Sequence, residues 1–163
     1  KGVVESVVLG SLPGMKYMTI ITTNKRALYD YIILETYEAG IELSGQEVKS
    51  IKNGRINLSG SHVIIKNNEA LLFNADIPPY QPKNAPEDYG SKRSRRLLLH
   101  KSEIKSLIGK TREKSLTLVP LKVYTKHHKI KLEIGLVKSR KKADKRDLIK
   151  KRETRREIKK VIG

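Results

Sequence analysis

The chain has 163 residues, which is enough for one compact domain and too few for two comfortable ones. Its 35 Lys and Arg residues outnumber 17 Asp and Glu residues, and the net charge of +18 points to a polyanionic partner, with nucleic acid as the first choice. The sequence contains no Cys and no run of about 18 apolar residues, which excludes disulfides, Cys-based sites and a membrane-spanning helix, so we expect a cytoplasmic protein without a membrane partner.

The beginning of the chain is interpreted as an accessory segment. Met15 and Met18 stand just before the first recognisable motif, so residues 1–23 are expected to be an N-terminal extension or a remnant of expression. The apolar stretch at residues 3–12 contains Glu5 and has no basic segment before it, and we therefore expect no signal peptide.

Residues 27–41 predict a strand, because Tyr, Ile, Leu and Thr dominate the segment, and Gly40 is expected at a bend or bulge. A short helix is then predicted over residues 44–54. Ser44 as N-cap with Glu47 three residues later forms a capping-box pattern, and the Asn-Gly pair at its end is typical of a helix stop.

The middle of the chain predicts a hairpin and then a loop. Two apolar runs at residues 63–65 and 70–73 flank Asn67 and Asn68, which is a turn dipeptide. Residues 78–92 contain four prolines and almost no large aliphatic side chains, so this segment is expected to be a mobile loop.

The following segment predicts a second helix and two strands. Apolar spacing places the helix at residues 101–109, and the strands are expected at residues 116–124, interrupted by Pro120, and at residues 129–137. The last strand alternates apolar and charged residues, so one face should be buried and the other exposed to solvent.

Beyond the last strand the composition changes. Residues 138–163 hold 13 basic and 4 acidic side chains, half the net charge of the chain. Because like charges at this density repel one another, the free tail is expected to be disordered or fractionally helical, and to form a helix when phosphates neutralise it. Residues 24–137 are then expected to form a small β-rich, mostly antiparallel barrel or sandwich with two or three short flanking helices, and an OB-like barrel is the commonest nucleic-acid-binding fold of that kind.

Six short motifs occur in a fixed order along this framework. They are NKRA at 24–27, YEAGI at 37–41, EVKS at 47–50, RRLLLHK at 95–101, KLEIG at 131–135 and DKR at 144–146. In this order they resemble the successive signatures of the SsrA-binding protein family. The fold known for that family is an antiparallel OB-like barrel with a basic C-terminal tail, which agrees with the pattern of predicted elements.

The resemblance implies a division of labour between barrel and tail. The barrel of such proteins binds the tRNA-like domain of transfer-messenger RNA and delivers it to stalled ribosomes for trans-translation. The tail occupies the decoding centre of the small subunit and the empty mRNA channel, where it forms a helix. Elongation factor Tu would be an indirect partner through the charged RNA.

Carried over position by position, the resemblance also implies two sets of functional residues. Glu38 would accept hydrogen bonds from base donors or orient Lys131. Lys25, Arg26 and Lys131 would contact phosphates, and Leu98 would support a sugar or base. The expected RNA-binding set is Asn24, Lys25, Arg26, Glu38, Leu98, His100 and Lys131, and the expected ribosome-binding set is Lys138, Asp144, Lys145, Arg146, Val161 and Ile162. Ala143 and Thr154 depart from the family pattern, which often has a His and an aromatic residue there.

Each of these residues also has a simpler interpretation. Glu38 could be a surface carboxylate at a strand end, Leu98 a core residue, Lys131 part of a solvated face, His100 structural, and the tail a nonspecific anchor. His127 and His128 are adjacent and lack other ligands nearby, so no metal site is expected.

Two other functions compete with ribosome rescue. One is a ribosomal or other general RNA-binding protein whose basic tail is buried in rRNA. The other is a nuclease or RNA-modifying enzyme, which would need a metal or a general base that the sequence does not offer. We expect no enzyme activity, no catalytic residue and no cofactor.

Overall fold

A computed structural model describes residues 18–162 of the chain. It contains seven strands, three short helices, one longer helix and a single 3-10 turn at Pro82–Asn84. The strands are β1 Met18–Thr23, β2 Tyr31–Ile41, β3 His62–Lys66, β4 Glu69–Phe73, β5 Arg95–Leu98, β6 Leu116–Lys126 and β7 Lys129–Ser139. The helices are α1 Lys25–Asp30, α2 Gly45–Lys52, α3 Lys101–Lys110 and α4 Lys142–Ile162.

The sheet closes on itself. Strand β6 pairs with β3 and with β7, and the path β3, β4, β5, β2, β7 leads back to β6 through antiparallel neighbours. Strand β1 pairs with the remaining length of β6, next to the β3 contact. The predicted β-rich, antiparallel barrel with short flanking helices is confirmed.

The barrel is filled by alternate residues of its strands. Leu132, Ile134 and Leu136 of β7 are buried, as the alternation in this segment predicts. They pack with apolar residues from every other strand of the closed ring and with Ile51 of α2. A second, smaller apolar cluster lies beneath α1, where Ala27 packs on Val119, Leu121 and Val137.

The first part of the chain departs from the prediction in two ways. Residues 18–23, which we assigned to an extension, form β1 of the sheet, so the expected boundary at residue 24 is too late. Residues 27–30, which we assigned to the first strand, belong to α1 instead. The cause is Asn24, whose side-chain oxygen accepts a hydrogen bond from the N–H of Ala27 and starts a helix where β-forming residues follow. Residues 1–17 lie outside the described part of the chain.

Two local predictions are confirmed. Ser44 and Glu47 form the expected capping box, each side chain bonded to the backbone N–H of the other residue. In the hairpin β3–β4, Asn67 and Asn68 have φ angles of 51° and 59°, which is the left-handed geometry that a two-residue turn requires.

The proline-rich loop is fixed at several points, where we expected mobility. The guanidinium of Arg95 is fully buried, pairs with the buried carboxylate of Glu47 and donates to the carbonyl of Ser91 at 2.9 Å. The Tyr89 hydroxyl donates to the carbonyl of Ile77 at 2.7 Å. These hydrogen bonds and the long-range pair of Arg95 with Glu47 therefore fix a segment whose composition alone predicts a mobile loop.

The tail also differs from its prediction. Strand β7 continues to Ser139, so the boundary at residue 138 falls inside the sheet. Residues 142–162 form one continuous helix, where we expected a free tail that is disordered or only fractionally helical. Acidic residues such as Asp147 and Glu157 precede basic residues by three or four positions, which reduces the repulsion along the helix.

Candidate nucleic-acid interface

The register of four strands places three of the predicted RNA-binding residues, Glu38, Leu98 and Lys131, at one end of the barrel. Gly40 of β2 pairs with Leu98 of β5 on one side and with Lys131 of β7 on the other, and Lys131 pairs with Tyr124 of β6. We call this set, Leu98, Gly40, Lys131 and Tyr124, the cross-strand row. Residues that pair directly across neighbouring strands share one face of a sheet, so the row points to the outside of the barrel.

Glu38 lies two residues before Gly40 and therefore on the same face. Its carboxylate accepts hydrogen bonds from the Tyr124 hydroxyl and from the Lys126 ammonium, the latter at 3.3 Å. Partial burial acts to raise the pKa of Glu38, but these hydrogen bonds and the charges of Lys126 and Lys131 outweigh it and hold that pKa below its ordinary value. Glu38 is thus an oriented, ionised carboxylate among lysines.

Tyr124 keeps Glu38 in place. Burial, followed by the hydrogen bond to Glu38, raises the pKa of the Tyr124 phenol. The hydroxyl therefore stays protonated and remains a donor to the carboxylate at any physiological pH. Tyr124 donates to Oε2 of Glu38, and Lys126 lies 3.3 Å from the same oxygen and 3.5 Å from Oε1, so Oε1 keeps a lone-pair direction for an amino group of a base.

Beside Glu38 the row forms a groove with an apolar floor. Leu98 is 50% exposed, and the absence of a side chain at Gly40 leaves room next to it. The cavity there has a volume of about 360 Å³, and Ile130 and Lys131 line its β7 side. A half-exposed Leu between lysines can contact the face of a sugar or base while the ammonium groups contact phosphates.

His100 lies outside this row. It precedes α3, its side chain is 87% exposed, and its Nε2 atom is 3.8 Å from the Glu103 carboxylate. The side chain is free to reach a ligand, two residues beyond Leu98 on the same strand end.

The structure separates the NKRA residues from the cross-strand row. Asn24 is 5% exposed, and its amide donates to the carbonyls of Pro120 and Leu58 at 2.9 and 3.3 Å. Both the nitrogen and the oxygen of this amide anchor α1 within the protein, and the RNA contact of Asn24 stays a prediction. Lys25 and Arg26 are exposed on α1, but they lie at the opposite end of β2 from Glu38, roughly 25 Å away for an extended strand of this length.

The tail residues fall into three environments. Lys138 is exposed near the end of β7. Asp144 accepts a hydrogen bond from the Lys141 N–H at 3.3 Å, near the start of α4. Lys145 is not free, since its ammonium donates to Asp30 of α1 at 3.1 Å. At the far end of α4, Val161 and Ile162 are 85% and 79% exposed. Arg146 is exposed on α4.

Sequence reasoning missed several residues that shape these surfaces. Tyr124 and Lys126 orient Glu38 from a strand 86 and 88 residues further along the chain, and a register this remote leaves no local signal. Gly40 was predicted as a bend, and it lies instead between Leu98 and Lys131 in the row. Asp30 was not singled out at all, although it is the α1 partner of the tail.

The described residues show no other kind of site. Between residues 18 and 162, no group of three or more His, Asp or Glu side chains is arranged to hold a metal ion. Among the helices described, none combines the length and apolar character needed to cross a membrane. His127 and His128 form the turn between β6 and β7, with positive φ angles, between the two strands that the sequence predicts.

The fold and this surface define a class: a small, strongly basic antiparallel barrel with a grooved, lysine-lined end and a cationic C-terminal helix. The sequence model of the SmpB protein family matches residues 21–163. The chain therefore belongs to the SmpB family, as its motifs indicate.

Individual relatives agree with this assignment. The chain is 52% identical over 143 residues to the SsrA-binding protein of Carboxydothermus hydrogenoformans, covering 88% of this chain and 95% of that protein. It is 50% identical to the SsrA-binding protein of Sulfurihydrogenibium sp., covering 86% and 92%. A solved structure described as "tmRNA-SmpB: a journey to the center of the bacterial ribosome" matches with a TM-score of 0.63 and 44% identity, covering 74% of this chain and 85% of that one.

Proposed function

We propose that this protein binds the tRNA-like domain of transfer-messenger RNA through the cross-strand row and delivers that RNA to stalled ribosomes for trans-translation. Membership of a family whose members are named SsrA-binding proteins supports the RNA partner. The likeness to a tmRNA-SmpB structure on the ribosome supports the ribosomal partner.

The observation that carries the placement of the RNA is the convergence of Glu38, Leu98 and Lys131. These residues come from three segments of the chain, and the sheet register brings them to one face. A fixed carboxylate, an exposed apolar side chain and ammonium groups together can recognise a base, a sugar and phosphates of a folded RNA. Nonspecific attraction by the net charge of +18 needs no such arrangement.

The second half of the proposal concerns the tail. Helix α4 places Arg146, Val161 and Ile162 on the surface, where they can contact the decoding centre and the empty mRNA channel. Because an intact message and a cationic helix would compete for the same anionic channel, the tail would enter only when the message is missing. This role places the protein in the cytoplasm, includes no catalytic step, and involves elongation factor Tu only through the charged RNA.

Two substitutions in the cross-strand region test the RNA interface. We expect Glu38→Ala and Lys131→Ala each to weaken binding to the tRNA-like domain by roughly 1 to 3 kcal/mol, since each removes a charge-assisted hydrogen bond. The measurement is a filter-binding or calorimetric titration at physiological ionic strength. Lys66→Ala removes one exposed lysine from β3 and is the matched control.

The control separates specific recognition from general charge. Lys66→Ala should change affinity by less than about twofold, because Lys66 lies outside the cross-strand row and its charge acts on the RNA only through screened attraction. Equal losses for Lys66→Ala and Lys131→Ala would show that the RNA does not sit on the cross-strand row. Recovery of ribosomal RNA without transfer-messenger RNA in a pull-down would instead favour a ribosomal protein.

A further inference from the structure

Helix α4 is held against α1 by a compact set of contacts. The carboxylate of Asp30 lies between two cations: Lys145 of α4 donates to Oδ1 at 3.1 Å, and Arg26 of α1 approaches Oδ2 at 3.5 Å. The backbone carbonyl of the same residue accepts from the N–H of Arg140 at 2.9 Å, just before α4 begins. Asp30 thus ties both the connecting segment and the helix to the barrel.

Tyr29 supplies the second part of the contact. The ammonium of Lys145 and the guanidinium of Arg152 each lie 5.8 Å from the centre of its ring. These two cations are seven residues apart, so they share one face of α4, and Leu148 between them is partly buried. One aromatic ring therefore fixes two turns of the helix through cation–π interactions.

The contacts end at the middle of the helix. All residues from Ile149 to Ile162 are exposed, whereas Lys145 and Leu148 are partly buried. A helix of 21 residues is roughly 30 Å long, so the docked part covers about half of that length and the rest projects from the barrel. The direction of the projecting half is set by how the first half lies on α1.

We propose that Tyr29 and Asp30 are positioning residues for the tail: they dock the first half of α4 on α1, next to the end of β2 that is opposite Glu38, and so fix the direction of its free half. This inference rests on the proposed function, because aiming matters only if the tail enters a channel while the barrel holds RNA. Lys145 then acts within the protein, as an anchor of the helix, and Arg146 beside it is the exposed cation that a ribosomal phosphate would contact.

A distance measurement tests the docking without any RNA. The chain contains no Cys, so Lys66→Cys and Thr154→Cys give a pair of spin-label sites, one on the barrel and one on exposed α4. We expect one narrow distance distribution for this pair. Tyr29→Leu with Asp30→Asn keeps the side-chain volumes close to the original but removes the π face and the charge, and should broaden the distribution.

Two matched variants show whether the specific contacts matter. Tyr29→Phe retains the ring and should keep the narrow distribution. Tyr80→Leu removes a comparable ring, which faces Lys49 at 5.8 Å elsewhere on the barrel, and should also leave the distance unchanged. An unaltered narrow distribution in the Tyr29→Leu, Asp30→Asn variant would overturn the docking.

The functional arm compares RNA affinity with tagging of nascent chains on stalled ribosomes. The docking variant should bind the tRNA-like domain within about twofold of the original protein, while its tagging rate falls roughly threefold to tenfold, the size of loss expected for exposed cation–π and ion-pair contacts. Tyr29→Phe should restore the rate. A broadened distance with an unchanged tagging rate would overturn the positioning role. If the original protein does not bind the RNA, the proposed function fails, and the spin-label result still decides the docking.

Discussion

The two regions of this molecule to which we assign functions are held in place in different ways. The cross-strand row rests on four paired strands above a buried core, which fix its backbone, and Tyr124 of the row holds the carboxylate of Glu38 beside it. Helix α4 has no buried residue, and its link to the barrel consists of a few polar contacts with α1. A surface that recognises one folded RNA benefits from rigidity, whereas a probe that must enter a channel benefits from contacts weak enough to adjust.

The largest expected effect concerns the rigid region. Glu47 is fully buried and pairs with Arg93 and with the buried Arg95, which also fixes the proline-rich loop. Glu47→Gln leaves the Arg95 guanidinium without its counter-charge, so we expect the free energy of unfolding to fall by roughly 3 to 5 kcal/mol. Denaturant unfolding followed by circular dichroism measures this. Glu42→Gln, at an exposed ion pair 3.7 Å from Arg96, is the matched control and should cost under about 1 kcal/mol.

The same pair predicts a dependence on pH. Burial acts to raise the pKa of Glu47, but hydrogen bonds from Arg93, from the Ser44 N–H and from Arg95 outweigh it and lower that pKa. A depressed pKa in the folded state means that the contribution of Glu47 is complete above the pKa of an unfolded carboxyl group, about 4.3, and is lost as the pH falls through the folded value. The difference in the free energy of unfolding between the original protein and Glu47→Gln should therefore become smaller as the pH falls. A difference that stays constant down to pH 3 would contradict the lowered pKa of Glu47.

A smaller effect is expected within the cross-strand row. A Cβ atom at Gly40 would lie 3.2 Å from the Cβ of Leu98, so Gly40→Ala must push Leu98 aside by a few tenths of an ångström. We expect RNA affinity to fall by about 1 kcal/mol, or roughly fivefold in Kd, with little change in the fold. Gly45→Ala, where nothing lies within 4 Å of the added atom, is the control and should bind RNA normally. Identical Kd values for both variants would indicate that Leu98 does not touch the RNA.

The elements that could be predicted carry their signal within a few residues. The alternation in β7, the Ser44–Glu47 capping box and the Asn67–Asn68 turn each depend on local geometry, and all three are confirmed. Helix α1 was missed because its start depends on Asn24, which is followed by a run of β-forming residues. Asn24 caps the helix locally, but its amide also bonds to the carbonyls of distant segments, and those bonds cannot be predicted from local sequence.

The remaining features depend on contacts between distant parts of the chain. The sequence alone indicates a surface cation at Arg95, but in the fold Arg95 pairs with Glu47, 48 residues away. The sequence alone places Lys145 in a uniform basic tail, but in the fold Lys145 bonds to Asp30, 115 residues away. For Glu38, Leu98 and Lys131 the family motifs supplied the assignment, and the strand register explains why these three belong together.

The most direct test of the division between barrel and tail is a chain that ends after Lys141, because β7 and its pairing with β2 are then complete. Its Kd for the tRNA-like domain of transfer-messenger RNA is measured beside its tagging activity on stalled ribosomes. We predict a Kd within a few fold of that of the full chain, because a tail docked on α1 adds only screened charge to RNA binding at the cross-strand row. We predict no detectable tagging activity. A loss of RNA affinity as large as the loss of tagging would contradict the account.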